Sequence, residues 1–476
     1  MTFERAKSAL SSECRLRDER LVLVGVSGGP DSICLLDVLR RCGYPLVIVH
    51  LDHALRPESV DEVQAVREIA AQMGIEVIVE RRDVAAFAEV HCLSIEEAAR
   101  NVRYDFLFQQ ARTLNAQAVA VGHNADDQVE TVLMHLMRGA GLSGLKGMAY
   151  HSLPNAWSGD TPLVRPLLGI WRYEILSYLE ERNLRSVLDA SNQDIKYYRN
   201  RIRHELIPYL ETYNPQVKRL LWRTALTLAD DYSVMNELVN DACSASLLQV
   251  GDEYLAFDAV VLRGFQDGVK RHLFRRAIYE LRPNLRDIDF NAIEHVMDFL
   301  EQPTATRQRD LLAGLRLMLD GERLWLCDWK AELPGMEWPQ LPEGNIFYLP
   351  VPGMLRLPSG WVLRVEPVED HGLAIARAVG NPDAYRAWLD GDGLQFPLQV
   401  RTRKPGDRIL PLGMGGHSTK LADLMVNEKI PLRARDRWPL VVSGEQIVWV
   451  PGVRMSHQFR VRGETESVIY LRLSKG

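Results

Sequence analysis

The six cysteines of this chain, Cys14, Cys34, Cys42, Cys92, Cys243 and Cys327, include no C-x-x-C pair. That spacing excludes a disulfide framework and the usual zinc and iron–sulfur sites, and it predicts a protein of the reducing cytoplasm. No apolar run approaches the roughly 20 residues that cross a bilayer. Met1–Lys7 is charged and no apolar segment of a signal peptide follows it, so neither export nor membrane attachment is expected. No internal repeat or low-complexity tract breaks the chain. No Gly-Lys-Ser/Thr follows a glycine-rich turn, which rules out a Walker phosphate loop.

Acidic residues outnumber basic ones by six overall, but not at the C-terminal end. From Gln399 onward there are 14 Lys+Arg against 7 Asp+Glu, leaving 43 against 56 in the rest. A basic terminal module on an acidic body implies a polyanionic partner bound at one end.

At 476 residues the chain is too long for one core. Residues 20–190 alternate short β-branched runs (Leu21–Val26, Leu46–Leu51, Glu76–Glu80, Ala118–Gly122) with amphipathic stretches (Ser32–Arg41, Ser59–Met73, Ser94–Leu114). The alternation predicts an α/β fold, an N-terminal doubly wound parallel sheet with ligands beyond the carboxyl ends of its strands. Ser94 and Glu97 have the spacing of a helix-capping pair. From Pro215, Val217, Leu220, Leu221 and Leu228 recur near the helical period, and Asp320-Gly321 between two apolar runs signals a hairpin. The expected organisation is 1–213, an ATP-binding catalytic domain; 214–330, a linker helix and small α+β domain; 331–398, a β-rich connection; and 399–476, a β-rich basic terminal domain.

The most informative segment is Ser27-Gly28-Gly29-Pro30-Asp31-Ser32, between a buried strand and a helix. The glycines let backbone N–H groups approach an anion, Ser27 and Ser32 add hydroxyl donors, and the helix presents its positive end. Asp31 would face the phosphates through Mg²⁺, as metal ligand and catalytic group. The strand ending at Gly122 runs into His123-Asn124-Ala125-Asp126-Asp127-Gln128-Val129-Glu130-Thr131. Asp127, Glu130 and Thr131 share one helical face, and its acids can hold Mg²⁺ or orient an amine, while His123 can bond a phosphate or carry a proton. His53 and Arg56 follow the second strand, where adenine and ribose would lie. Arg100 and Arg103, in a charged band on the third helix, are substrate candidates. Arg199, Arg201 and Arg203 suit phosphate forks and stacked bases. Arg403, Lys404, Arg408 and Lys420 repeat that theme in the terminal module, and two basic clusters in separate domains favour an extended nucleic acid.

The first loop resembles that of the ATP pyrophosphatases, the PP-loop superfamily with an adenine-nucleotide α-hydrolase-like fold. With Leu51–Arg56, Glu96–Tyr104, Gly122–Thr131, Arg199–Pro208, Lys404–Arg408, Gly415–Leu421 and Trp449–Arg454, the chain is similar to the tRNA(Ile)-lysidine synthetases. Residues 225–395 match them only loosely. The resemblance implies ATP and Mg²⁺ as cofactors, and an isoleucine tRNA with a CAU anticodon and L-lysine as partners. It implies adenylation of the wobble cytidine at C2 and displacement of AMP by lysine, with Asp127 or His123 holding the amine or taking its proton. It also assigns Arg100, Arg103, Arg199, Arg201, Arg203, Arg403, Lys404, Arg408 and Lys420 to tRNA. A homodimer is one candidate assembly. The alternative is a PP-loop tRNA thiolase, which generally needs paired cysteines or a cluster. GMP or NAD synthesis leaves the basic terminus unused, and a non-enzymatic RNA-binding protein leaves the Ser27–Ser32 loop unused.

Overall fold

The computed structural model describes residues 1–55, 59–187, 198–283, 285, 288–301, 308–334, 338–342, 344–379 and 381–476. The chain forms two compact units, Met1–Asn236 and Glu237–Gly476. No helix among the described residues is long and apolar enough to cross a membrane.

In the first unit, α1 (Thr2–Ser12) precedes β1 (Val22–Gly25), α2 (Pro30–Arg41), β2 (Leu46–Asp52), α3 (Ser59–Met73), β3 (Glu76–Arg81), α4 (Val84–His91) and α5 (Ile95–Thr113). Then come β4 (Ala118–Val121), α6 (Ala125–Met137), α7 (Leu142–Leu145), β5 (His151–Ser152), β6 (Leu163–Val164) and α8 (Arg172–Glu181). The strands lie in the order β3-β2-β1-β4-β6-β5, parallel except for the β5 edge. Alternation along β1 explains the two-sided core: Val22 and Val24 pack on one face with Leu10, Leu35 and Ile175, and Leu23 packs on the other with Phe106 and Leu107. The chain steps outward from β1 through β2 to β3, then returns to the other side of β1 for β4. That reversal opens a crevice beyond the carboxyl ends of β1 and β4, the usual ligand position in such sheets.

Two local features hold the crevice walls. Ser94 caps α5, its hydroxyl accepting the Glu97 N–H at 3.3 Å. Residues 198–213 form one continuous helical rod: α9 (Tyr198–Arg201), a π turn (Ile202–Leu206) and α10 (Ile207–Tyr213). Pro208 has no N–H to give the preceding turn, and the wider π turn lies just before it. Ile202 and Ile207 pack against Val129 and Leu133 of α6, so the rod lies along that helix.

The second unit carries a five-stranded antiparallel sheet formed by Leu247–Gly251, Tyr254–Asp258, Arg323–Asp328, Leu315–Asp320 and Gln308–Asp310, in that spatial order. Its hairpin turns at Gly321-Glu322, one residue later than expected, because Asp320 still pairs with Arg323 and Gly321 supplies the positive φ. Two further sheets follow. One orders Ile346–Leu349, Leu398–Arg401, Leu440–Ser443, Gln446–Val450 and Arg454–Met455; the other orders Gly353–Arg356, Trp361–Val368, Val468–Lys475 and Arg386–Asp390. Val468–Lys475 lies between Trp361–Val368 and Arg386–Asp390, so residues on either side of 398 build the same sheets. A single apolar cluster containing Leu349, Leu363, Leu398, Val441 and Leu471 joins them.

Candidate active site

The first loop is built for an anion. Gly28 has φ +84°, a conformation that a side chain would strain, and Gly29 caps α2 with Pro30 as the first helical residue. Proline has no N–H to lose there, and the N–H groups that follow open toward the crevice. Ser32 donates to the Gly29 carbonyl at 2.9 Å, tightening the turn, while Ser27 is exposed at its tip. The end of β4 passes so close that a Cβ on Gly122 would stand 2.9 Å from the Asp31 carbonyl carbon and 3.0 Å from the Ser32 nitrogen. Gly122 is therefore what lets the end of β4 meet the first turn of α2.

Asp31 is held from two sides. Asn124 Nδ2 donates to its Oδ1 at 2.9 Å, and Arg172 Nη1 lies 3.3 Å from its Oδ2. Burial pushes its carboxyl above the usual range, against the pull of Arg172 and the Asn124 hydrogen bond. Asn124 also caps α6 reciprocally with Asp127: its Oδ1 accepts the Asp127 N–H at 3.0 Å, and Asp127 Oδ2 accepts the Asn124 N–H at 2.9 Å. One asparagine thus fixes both acids.

Asp127 Oδ1 accepts from Arg199 Nη2 at 2.8 Å and Arg203 Nη2 at 3.3 Å. Glu130, 1 % exposed, accepts from Arg199 Nε at 2.7 Å and Arg203 Nε at 2.6 Å. The helical rod therefore delivers two guanidinium groups to the acidic face of α6, and Arg199 is pushed up by both carboxylates despite its burial. Asp127 is pushed up by burial, with Arg199 pulling against it and Glu130 adding to the shift. Asp126 turns away, accepting the Arg172 backbone N–H at 2.9 Å and pairing with Lys218.

These groups border a cavity of about 440 Å³ whose wall includes Ser27, Gly29, Asp31, Ser32, Gly122 and Asp127. Pro30, His53, Arg103, His123, Arg172, Arg199 and Arg203 complete much of it. His123 Nδ1 and His53 Nδ1 are buried with no protein partner among the described residues. Burial, with Arg165, Arg199, Arg100 and Arg103 nearby, pushes His123 well below the usual imidazole range, so its ring is neutral at pH 7. Burial likewise pushes His53 down to about 4. Tyr104, fully buried, stacks on Trp157 at 4.2 Å between centroids, with Arg100 at 4.8 Å and Arg103 at 5.2 Å from its ring. Arg100 lies behind the wall and Arg103 in it.

The structure thus gathers most of the residues expected in the first unit. Gly28 shapes the loop without lining the cavity, and Arg201 points outward to Glu205 at 3.4 Å. Arg56 lies outside the described residues. In the second unit Arg403 pairs with Asp436, and Arg408 donates to the Ser418 hydroxyl at 2.8 Å. Lys404 and Lys420 are exposed, with no ion pair among the described residues. Arg401 and Asp407 form a bidentate pair at 2.8 and 2.9 Å, so part of the terminal basicity is spent inside the fold. Sequence reasoning missed Asn124, Arg172 and Trp157. Asn124 is recoverable from the capping spacing with Asp127; Arg172 and Trp157 carry no local signal.

Residues 2–210 match the model of the PP-loop domain, and residues 398–472 match that of the TilS substrate C-terminal domain. The chain is 34 % identical to a tRNA(Ile)-lysidine synthase of Dehalococcoides mccartyi, covering 98 % of both chains. It is 34 % identical to a tRNA(Ile)-lysidine synthase of Geobacter sulfurreducens, covering 95 % of this chain and 93 % of that one. Among solved structures, a U34-tRNA thiolase of Methanococcus maripaludis aligns with 20 % identity and a TM-score of 0.40, covering 48 % of this chain and 78 % of the other.

Proposed function

This chain belongs to the tRNA(Ile)-lysidine synthase family, and from that premise we propose that it joins lysine to C2 of the wobble cytidine of a CAU-anticodon isoleucine tRNA. The products are lysidine, AMP and pyrophosphate. The observation that carries the reading is the convergence at one crevice of a phosphate cradle, Ser27–Ser32, and a paired acid–arginine cluster, Asp127, Glu130, Arg199 and Arg203.

The carbonyl oxygen at C2 of cytosine is a poor leaving group. Its attack on the α-phosphate of ATP forms an O–P bond and expels pyrophosphate, so that the same oxygen later leaves with AMP. In this step the α2 N-terminus and the Ser27 hydroxyl bind phosphate oxygens and offset the charge that gathers on them, and Ser32 joins them by turning its one O–H from the Gly29 carbonyl to the phosphate. Asp31 fits a magnesium ion, which takes one or two carboxylates and completes its shell with phosphate oxygens and water; when bound, the ion supplies charge neutralisation at the phosphates.

The second step needs the ε-amine of lysine unprotonated. It attacks C2, the C–O bond to AMP breaks, and the amine's surplus proton departs. Asp127 orients the amine or takes that proton, and neutral His123, with its free Nδ1, is the other acceptor in the wall. Arg103, Arg199 and Arg203 serve the anticodon phosphates beside the splayed base, while Arg201, Arg403, Lys404, Arg408 and Lys420 serve the tRNA more widely.

A thiolase would share the adenylation step, but no cysteine borders the cavity among the described residues, and burial pushes Cys34, on the helix behind the loop, up to about 12. The test is tRNA-dependent AMP formation in the presence of lysine. Asp31→Ala should lower it at least about 10²-fold while tRNA affinity persists; near-normal turnover in the folded variant would remove the loop from the reaction.

A further inference from the structure

We infer that Arg172 is a phosphate-binding residue that changes partners: it holds Asp31 in the nucleotide-free cavity and passes to the phosphate oxygens of ATP, leaving Asp31 to the magnesium ion. The inference rests on reading Ser27–Ser32 as the ATP cradle.

Arg172 is the first residue of α8, and its backbone is fixed where Asp126 Oδ2 accepts its N–H at 2.9 Å. Its side chain lines the cavity, with Nη1 at 3.3 Å from Asp31 Oδ2. That side chain is 32 % exposed, so the guanidinium sits at the open face of the carboxylate and can leave it without unpacking the core. The other carboxylate oxygen is occupied by Asn124 Nδ2 at 2.9 Å. Both oxygens of Asp31 are therefore engaged by side chains of the protein.

A half-buried carboxylate is stabilised by a counter-charge, and Arg172 supplies it to Asp31. A divalent cation and a guanidinium repel each other and compete for the same oxygen. Metal alone therefore binds weakly while Arg172 stays in place. A triphosphate removes the conflict, because it offers the planar fork several oxygens and frees Asp31 at the same moment. Nucleotide and metal then favour each other's binding, and by linkage the coupling is reciprocal. Arg172 lies 141 residues from Asp31 in sequence, in Trp171-Arg172-Tyr173, where no motif marks it.

Two calorimetric titrations of the full chain test the exchange, comparing wild type with Arg172→Gln: ATP in EDTA, and Mn²⁺ without nucleotide. The variant should bind ATP about ten-fold more weakly, the loss of one charge-assisted contact, and Mn²⁺ several-fold more tightly. Arg172→Lys should restore part of the ATP affinity. A local folding defect would weaken both ligands together, and that outcome, or an unchanged ATP affinity in Arg172→Gln, overturns the inference. Failure of the wild type itself to bind ATP overturns the cradle reading and the inference with it, whereas normal wild-type binding beside an unaffected variant overturns the role of Arg172 alone.

Discussion

At the scale of single residues, burial moves the titration of the groups around the cavity away from their ordinary values. His53 is a case with a measurable consequence. Its folded value, pushed down to about 4 by burial and then by Arg103, lies below the unfolded value of about 6.5. Above the unfolded value neither state is protonated and folding loses nothing. As pH falls from about 6.5 toward about 4, only the unfolded chain takes the proton, so this contribution to stability is lost across that window. Buried carboxylates such as Asp31 act with the opposite sign, so the effect must be read as a difference. The urea midpoint of the wild type should fall more steeply between about pH 7 and pH 5 than that of His53→Asn. Parallel curves would mean that His53 is solvated as freely in the folded chain as in the unfolded one.

The reach of sequence reading is clearest among these same residues. Ser27–Ser32, His123 and Asp127 are legible because backbone chemistry and i, i+3 spacing are local properties. The contacts that set their electrostatics are not. Asn124 reaches Asp31 across 93 residues and Arg172 across 141, and no periodicity encodes such a meeting.

At the scale of elements, the strands and helices of the parallel sheet follow from period and capping, whereas the helical rod over residues 198–213 takes its place from tertiary contacts. Three arginines within five residues read as one basic patch. Packed on α6, they divide: Arg199 and Arg203, four apart on one face, turn to Asp127 and Glu130, and Arg201 turns to solvent. The acids of α6 and the arginines of the rod are thus one electrostatic unit. Glu130 is its buried centre, accepting from both guanidinium groups. Glu130→Ala should cost about 3 kcal/mol in urea unfolding, because it leaves two partly buried cations short of a carboxylate. A loss under about 1 kcal/mol would mean that Asp127 alone neutralises the rod.

At the scale of the whole molecule, the excess of basic residues after Gln399 was readable from composition, but its availability was not. Arg401, Arg403, Arg433 and Arg454 are paired with acids, leaving Lys404, Arg408 and Lys420 as exposed charges of the basic loops with no acidic partner among the described residues. Deleting residues 399–476 would also remove the strand that joins Trp361–Val368 to Arg386–Asp390, so point substitution is the sounder probe. Lys404→Glu with Lys420→Glu should weaken tRNA binding and reduce the dependence of log affinity on log salt by about two phosphate contacts. An unchanged slope in a filter-binding titration would assign these lysines to solvent.

The central claim, that one crevice adenylates a cytidine and then delivers an amine to it, is tested most directly by the mass of the RNA. An isoleucine tRNA with a CAU anticodon is incubated with the full chain, ATP, Mg²⁺ and lysine, and its nuclease fragments are weighed. The account predicts that the wobble-cytidine fragment gains one lysine less one water, with equimolar AMP and pyrophosphate. Replacement of oxygen by sulfur when a persulfide donor is supplied, or AMP release with the cytidine fragment unchanged after lysine is added, would contradict it.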